Sequence, residues 1–345
     1  MSGAGVQAGL PTPSSLRNPF DFPGAPLKVD GMEMISLGTS PLRASRLAYG
    51  CWRIAGTWNP AEVTEADRSA GLAAIHCAYE SGYTLFDTAD IYCGGESERL
   101  LGRALRETPG MREEVLIVTK CGIRPAGTPH PSAPQRYDFS AEHIIASCEG
   151  SLDRLRTSTI DLFMLHRPDF LADPSEIAAA FEKLRADGKV RYFGVSNFRP
   201  SLVTALQVMC PMPLIAHQVE ISLAHREPLT DGTLDQCMIE SITPMAWSPL
   251  GGGMLGGKAG RLLPSQEGYD VTGVLPILEE IASSRGATGA AAAIAWLLRH
   301  PARIVPVIGS ANPKRIREAA KATDIRLSRE EWYRLLLAAR GEPLP

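Results

Sequence analysis

Four side chains that can together donate a proton follow short apolar runs of the sequence. Asp87 comes directly after the apolar pair at 85–86 and Tyr92 follows five residues later, while Lys120 ends "EVLIVTK" and His166 ends "IDLFMLH". A tyrosine with an unperturbed pKa of about 10 transfers its proton reluctantly at neutral pH, and a nearby ammonium such as that of Lys120 lowers this pKa. A lysine at the end of an apolar strand needs a counter-charge, which Asp87 can supply. His166 can orient a carbonyl oxygen by a hydrogen bond or share the proton.

Each of the four residues also has an ordinary explanation when it is taken alone. Asp87 can cap the end of a strand, Lys120 can extend along its stem to solvent, and His166 can orient a turn. Tyr92 can simply pack against its neighbours. Their order at the ends of three successive predicted strands favours the joint interpretation, which is an acid–base device.

The elements that must position these residues alternate along the chain. Eight short apolar runs are separated by segments with apolar residues at helical spacing, which predicts parallel βαβ units. The runs occupy residues 46–50, 83–88, 114–120, 160–166, 190–196, 214–220, 243–249 and 303–309. Eight strands close a (β/α)8 TIM barrel, in which the site lies at the carboxyl ends of the strands. A doubly wound open sheet is the alternative, but no G-x-G-x-x-G follows the first strand.

The two ends of the chain carry additional predicted elements. Residues 1–31 contain several prolines and no periodicity, which predicts a flexible N-terminal extension before a barrel domain over residues 32–345. Two extended pieces around residues 38–41 predict a β-hairpin. The segments "TGAAAAIAWLLRH" and "SREEWYRLLLAA" predict extra C-terminal helices that pack on the outside of the barrel.

Composition excludes several classes of protein. The chain has 345 residues, a net charge of -3, 44% hydrophobic and 21% charged residues, which is typical of a soluble globular protein. Without a basic stripe, a run of 18 apolar residues or a signal peptide, we expect no nucleic acid or membrane partner and a cytoplasmic location. The seven cysteines form no CxxC pair, which favours reduced thiols over zinc or disulfides, although Cys51, Cys93 and Cys121 could make the pocket mouth redox-sensitive.

Taken together, these motifs strongly resemble those of the aldo-keto reductases. The matching segments are "GYTLFDTADIYCGGESERLLGRAL", "VLIVTK", "SLDRLRTSTIDLFMLHRPD" and "LRADGKVRYFGVSNF", and the resemblance covers roughly residues 32 to 340. It looks closest to a bacterial branch of general oxidoreductases. The resemblance implies a (β/α)8 barrel that uses a nicotinamide cofactor without a Rossmann fold. It also implies that Asp87, Tyr92, Lys120 and His166 form the catalytic tetrad.

The resemblance implies where the nicotinamide would lie. Ser196, Asn197 and Gln218 match the positions that hold the carboxamide. Trp247 matches the aromatic residue that stacks on the nicotinamide ring. Trp52 is assigned to the same cofactor-binding set, and together with Tyr137 it is a candidate for lining the substrate pocket.

The resemblance also implies a phosphate-binding end. Ser248, Leu250 and Gly251 begin a glycine-rich loop that would cover the pyrophosphate as a mobile flap. Ser310 and Arg315 match positions that contact the adenosine 2′-phosphate, and a helix start with an arginine suits such a group.

One departure from the family's pattern bears on the choice of cofactor. Many members carry a lysine where this chain has Gly309, so one positive charge near the 2′-phosphate is missing. Lys314 or Arg317 are candidates to replace it. We therefore expect NADPH as the cofactor, with NADH possible.

The expected activity is that of an oxidoreductase that reduces a small-molecule aldehyde or ketone, with hydride from nicotinamide C4 and the proton from Tyr92. The alternative is a nicotinamide-binding regulatory subunit that senses redox state with little turnover. A metal-dependent barrel hydrolase is a third possibility, but the usual paired histidines at a strand end are absent, and His166 alone does not suffice. The substrate and the oligomeric state are not encoded in a readable pattern, because specificity lies in the loops.

Overall fold

The computed structural model describes residues 28–29, 32–257 and 262–344. The described strands are β1 (Lys28–Val29), β2 (Met32–Ser36), β3 (Arg43–Ser45), β4 (Ala48–Gly50), β5 (Leu85–Asp87), β6 (Leu116–Cys121), β7 (Ile123–Arg124), β8 (Arg136–Tyr137), β9 (Ile160–Leu165), β10 (Val190–Ser196), β11 (Leu214–Glu220), β12 (Thr243–Trp247) and β13 (Val305–Ile308). The α-helices are α1 (Glu65–Glu80), α2 (Glu96–Glu107), α3 (Met111–Glu114), α4 (Ala141–Leu155), α5 (Pro174–Ala186), α6 (Pro200–Met209), α7 (Thr233–Ile239), α8 (Leu275–Ser283), α9 (Gly289–Leu298), α10 (Pro313–Ala320) and α11 (Arg329–Arg340).

Eight parallel strands close into a barrel. Their order around the barrel is β4-β5-β6-β9-β10-β11-β12-β13, with β13 pairing back to β4. Each predicted apolar run coincides with one barrel strand, and the observed ends lie within two residues of the predicted ones. The predicted (β/α)8 fold is therefore confirmed, and the open-sheet alternative is wrong.

The barrel interior is filled from one end by the N-terminal hairpin. Strands β2 and β3 pair antiparallel, as predicted, and Ile35 and Leu37 pack in one cluster with barrel residues such as Leu85 and Met245. The turn of the hairpin is fixed to the start of β12, where Gly38 N donates to Thr243 Oγ1 at 2.7 Å. A hairpin at the amino ends of the strands leaves the carboxyl ends open for a site.

Part of the predicted N-terminal extension is included in the structure. Lys28–Val29 pairs antiparallel with Met32–Glu33, so the hairpin carries a third short strand. Residues 1–27 and 30–31 lie outside the described residues, and the flexibility predicted for them stays a prediction.

The helices surround the barrel with the expected end signals. Ser140 and Asp173 cap α4 and α5 by accepting hydrogen bonds from the first helical turn. Helices α9 and α11 join through Trp296 and Trp332, whose rings stack with centroids 5.0 Å apart. In the described part of the chain no helix has the length and apolar character needed to cross a membrane.

Candidate active site

The carboxyl ends of β5 and β6 bring a buried ion pair together. Asp87 is the last residue of β5, and Lys120 lies near the end of the neighbouring strand β6. Lys120 Nζ lies 2.8 Å from Asp87 Oδ1 and donates to the carbonyl oxygen of Thr88 at 2.7 Å. Lys120 is fully buried, so its charge depends on these oxygens rather than on water.

A tight turn after β5 carries Tyr92 to the same place. The segment Tyr92–Gly95 forms a kinked turn, in which Cys93, Gly94 and Gly95 have left-handed φ values of 47°, 58° and 86°. Two of these left-handed positions are occupied by glycine, which has no Cβ to oppose them. The turn places the Tyr92 hydroxyl 3.3 Å from Lys120 Nζ, within hydrogen-bond distance.

His166 completes the group from the end of β9. Its backbone N–H donates to the carbonyl oxygen of Cys121 at 2.9 Å, and its ring centroid lies 5.7 Å from that of Tyr92. Burial, with the nearby charges of Lys120 and Arg167, lowers the pKa of His166 well below its ordinary value. The imidazole is therefore neutral at pH 7, with one ring nitrogen protonated and able to donate a hydrogen bond.

The pKa of Tyr92 is raised in the structure, whereas the sequence analysis predicted that Lys120 would lower it. Burial raises the pKa of the Tyr92 phenol above its ordinary value, and the Asp87 charge adds to this, while Lys120 lowers the pKa as predicted but by less than the opposing effects. Burial also opposes the charge on Lys120, yet Asp87 and Tyr92 outweigh it and raise the lysine pKa. The phenol therefore holds its proton at neutral pH beside a charged ammonium.

Further polar residues connect the ion pair to the next strands. Gln218, on β11, donates from Nε2 to Asp87 Oδ1 at 2.9 Å. Asn197 donates from Nδ2 to the carbonyl oxygen of His166 at 3.1 Å and to Ser196 Oγ at 2.7 Å. Trp247 Nε1 donates to Asn197 Oδ1 at 2.9 Å, which fixes the indole at the end of β12.

A long cleft of about 1830 Å³ passes over these residues. Asp87, Tyr92 and His166 line it, and Lys120 lies enclosed behind them. The cofactor-binding residues predicted from sequence that line the cleft are Trp52, Ser196, Asn197, Gln218, Trp247, Ser248, Leu250, Ser310 and Arg315. Gly251 and Tyr137 are not among its lining residues.

The far end of the cleft lies at the start of α10. Ser310 and Arg315 line it there, and Asn312 caps the helix by accepting from the backbone N–H groups of residues 314 and 315. Neither residue proposed to replace the missing lysine lines the cleft. Arg317 donates to Cys77 Sγ at 3.0 Å, and Lys314 Nζ lies 3.9 Å from Glu318 Oε1.

A glycine-rich segment forms one wall of the cleft, followed by a buried anchor that the sequence analysis missed. Gly251–Gly256 forms a pair of tight turns with a kink at Gly252 and Gly253, and the described residues resume at 262 after a gap at 258–261. Gln266 is 1% exposed and donates from Nε2 to Glu220 Oε1 at 2.7 Å and to Ser248 Oγ at 3.0 Å. These bonds attach the returning chain to the ends of β11 and β12.

The end of the cleft near Tyr92 carries aromatic and cationic side chains. Trp58 was missed from sequence, and its ring lies 5.1 Å from that of Trp52 and 6.2 Å from that of Tyr92. The guanidinium of Arg167 lies 5.4 Å from the centre of the Trp247 ring. The sequence offered one signal for Trp58, which is that it follows Trp52 by six positions in the same loop. The sequence does not show in which direction its side chain points.

The cysteines near the site are enclosed. Cys51, Cys93 and Cys121 are free and buried, and burial raises the pKa of each thiol above its ordinary value. A raised pKa keeps the thiol protonated and poorly nucleophilic. The redox sensitivity considered from sequence gains no support from this arrangement.

The described residues fit a dinucleotide in shape and chemistry. A Cβ on Gly252 would lie 2.4 Å from Leu262 Cδ2, so the glycine permits a close wall over the cleft. Ser196 and Gln218 supply polar groups beside the flat indole of Trp247 at one end, and Arg315 supplies a cation at the other. These groups are of the kinds that would suit a carboxamide, a flat ring and a phosphate, respectively.

The closed parallel barrel with a polar site at its carboxyl end defines a barrel enzyme of the α/β class. The chain belongs to the aldo/keto reductase family of oxidoreductases, whose model matches residues 46–336. It is 41% identical to a 6-dehydroglucose reductase of Agrobacterium fabrum, over 90% of this chain and 99% of the relative. It is 36% identical to the oxidoreductase YdhF of Escherichia coli, over 91% of this chain and 100% of the relative.

Solved structures agree with this assignment. A glycerol dehydrogenase of Gluconobacter oxydans superposes with a TM-score of 0.79 at 28% identity, covering 90% of this chain and 97% of the relative. A thermostable aldo-keto reductase superposes with a TM-score of 0.74 at 29% identity, covering 88% and 99%. The family predicted from the sequence motifs is therefore confirmed.

Proposed function

We propose that this protein is an NADPH-dependent reductase that converts aldehydes or ketones to alcohols. The observation that carries the proposal is the position of the Tyr92 hydroxyl, 3.3 Å from Lys120 Nζ, with Lys120 itself 2.8 Å from Asp87 Oδ1. A protonated phenol beside a fixed ammonium is suited to donating a proton to an alkoxide.

The roles of the residues follow from their contacts. A reduced nicotinamide bound in the cleft would supply the hydride to the carbonyl carbon. Tyr92 donates its proton to the developing alkoxide, and Lys120 stabilises the tyrosinate that remains. Asp87 keeps Lys120 charged and in place. The neutral His166 donates a hydrogen bond that orients the carbonyl oxygen, and in the reverse reaction the tyrosinate is the base.

A cationic side chain at the far end of the cleft favours NADPH over NADH, because only NADPH carries a 2′-phosphate there. Arg315, at the start of α10, offers a guanidinium to a 2′-phosphate, whereas the first backbone N–H groups of the helix already donate to Asn312. Glu318 also lines this end, and Gly309 supplies no charge, so NADH stays the alternative cofactor. Arg315→Met should raise the KM for NADPH much more than the KM for NADH.

The names of relatives suggest a first substrate to test. Two relatives, 41% and 40% identical, are named 6-dehydroglucose reductases. The Trp52–Trp58 pair offers an aromatic surface for the apolar face of a sugar, and Arg167 offers hydrogen-bond donors. We infer that sugar aldehydes belong at the head of the substrate panel.

The test is a panel of aldehydes and ketones assayed with NADPH and NADH in parallel. Tyr92→Phe should retain cofactor binding and lose turnover by about 10²- to 10⁴-fold, the usual contribution of a general acid. Tyr79→Phe is the matched control, because it removes a tyrosine hydroxyl that donates to Glu114 Oε2, and neither residue lines the cleft. Wild-type turnover in Tyr92→Phe would contradict the mechanism.

The same panel separates the alternative function. One relative from Schizosaccharomyces pombe, 29% identical, is named a putative voltage-gated potassium channel subunit beta. Tight cofactor binding with near-zero turnover on every carbonyl would favour a redox-sensing subunit. The cytoplasmic location stays a prediction from sequence.

A further inference from the structure

An ion pair behind the Tyr92 turn joins two helices without touching the cleft. Arg154, on α4, donates from Nε to Glu98 Oε2, on α2, at 2.6 Å. The Glu98 side chain is fully buried and that of Arg154 is 20% exposed. A buried carboxylate is costly unless its oxygens are satisfied, so the contacts of Glu98 define what the pair holds in place.

The second oxygen of Glu98 holds the strand that carries the lysine. Thr119 Oγ1 donates to Glu98 Oε1 at 2.6 Å, and Thr119 directly precedes Lys120 in β6. Neighbouring side chains of a strand point to opposite faces, so Thr119 faces the helices while Lys120 faces the barrel. The carboxylate therefore fixes the strand segment from which Lys120 extends.

The arginine of the pair lies against the turn that carries the phenol. A Cβ on Gly95 would lie 2.5 Å from Arg154 Cδ and 2.8 Å from Arg154 Nε. Gly95 ends the turn that begins at Tyr92, and its φ of 86° suits glycine. The stem of Arg154 is thus packed directly on the backbone that aims Tyr92.

We propose that Glu98 and Arg154 are positioning residues, which hold the Tyr92 turn and the Lys120 strand in one fixed relation. One carboxylate contacts both the neighbour of Lys120 and the arginine under the turn, so loosening it lets the phenol move relative to the ammonium. This inference rests on the proposed function for its kinetic consequence, because proton transfer depends on the distance between Tyr92 and Lys120.

The barrel offers a matched control for a change at Glu98. Asp161 is also a buried carboxylate with arginine partners, and it accepts from Arg191 NH1 at 2.8 Å and from the backbone N–H of Ile117 at 2.9 Å. Ile117 lies on the same strand as Lys120 but toward its amino end. Asp161→Asn therefore perturbs a comparable buried ion pair, between β9 and β10, that also contacts β6 but lies away from the Tyr92 turn.

The experiment compares Glu98→Gln with Asp161→Asn for kcat, KM, NADPH affinity and melting temperature. We expect Glu98→Gln to lower kcat by about 10- to 100-fold, with KM and NADPH affinity within about 2-fold of wild type. Asp161→Asn should lower the melting temperature to a similar degree and leave kcat unchanged. Thr119→Val keeps the ion pair and serves where Glu98→Gln does not fold, and it should lower kcat in the same selective way.

A crystal structure of each variant gives a readout that does not depend on turnover. In Glu98→Gln or Thr119→Val we expect the Tyr92 hydroxyl to lie beyond about 4 Å from Lys120 Nζ or to occupy two positions, and in Asp161→Asn to remain in contact. An unmoved Tyr92 together with a kcat equal to that of Asp161→Asn would overturn the inference. If the wild-type protein reduced no carbonyl compound, the proposed function would be overturned instead. The position of Tyr92 in the variant structures would still decide whether Glu98 and Arg154 position it.

Discussion

Lys120→Met tests whether the ion pair with Asp87 is a coupled unit inside the barrel. The side chains of Lys120 and Asp87 are 0% and 5% exposed, and their charges lie 2.8 Å apart. Removing Lys120 leaves a buried carboxylate that still accepts a hydrogen bond from Gln218 Nε2 at 2.9 Å but has lost its counter-charge. Breaking a buried pair on one side costs about 3–5 kcal/mol of folding free energy.

The double variant Lys120→Met with Asp87→Asn supplies the comparison. It removes both charges together, and exchanging a whole buried pair for neutral residues is often neutral or stabilising. We therefore expect the double variant to recover most of the 3–5 kcal/mol lost by the single one. Urea unfolding of both proteins at pH 7 measures the difference.

The activity of the two variants follows a different pattern. Both lack the ammonium beside Tyr92, so both should lose turnover whatever their stability. A single variant as stable as the double one would show that the lysine does not neutralise a buried charge, and it would refute the account of Asp87 as its counter-ion.

Three further changes test other parts of the structure. Burial and the Glu98 charge raise the pKa of Asp90 to about 7, so wild-type stability should fall as the pH rises from about 4 through 7 and this carboxyl loses its proton. Asp90→Asn should therefore be more stable than wild type at pH 8, by at most about 4 kcal/mol, but not at pH 4. A difference in urea unfolding that is the same at both pH values contradicts this. Gln266→Leu removes the donor to Glu220 and should weaken NADPH binding several-fold with kcat little changed, as measured by fluorescence titration and steady-state kinetics; unchanged affinity would mean that the anchor does not shape the cleft. His166→Gln retains a hydrogen-bond donor and should lower kcat less than His166→Ala does; equal losses would argue against a role in orienting the carbonyl.

The barrel and the position of its site could be predicted because they depend on local patterns. Runs such as 160–166 and 190–196 are apolar throughout, which is what a strand covered on both faces requires. The parallel arrangement then brings every strand's carboxyl end to the same face, so Asp87, Lys120 and His166 had to be neighbours. That conclusion follows from the order of the strands and does not depend on any interatomic distance.

The contacts between distant strands could not be read from the sequence. Gln218 bonds Asp87 across 131 positions, and no local pattern encodes which side of Gln218 faces that carboxylate. The direction of Arg317 depended on the rotation of α10, which turns it to Cys77 rather than to the cleft. The raised pKa of Tyr92 likewise follows from the partial burial of its phenol among residues that only the assembled fold brings together.

The distribution of aromatic side chains gives the protein an internal optical probe. Of its five tryptophans, Trp52, Trp58 and Trp247 line the cleft. The other two, Trp296 and Trp332, stack on each other between outer helices and supply a constant background. Tryptophan fluorescence should therefore change when a dinucleotide occupies the cleft, even without a substrate. Ligands can be ranked on the unlabelled protein in this way before any substrate has been found.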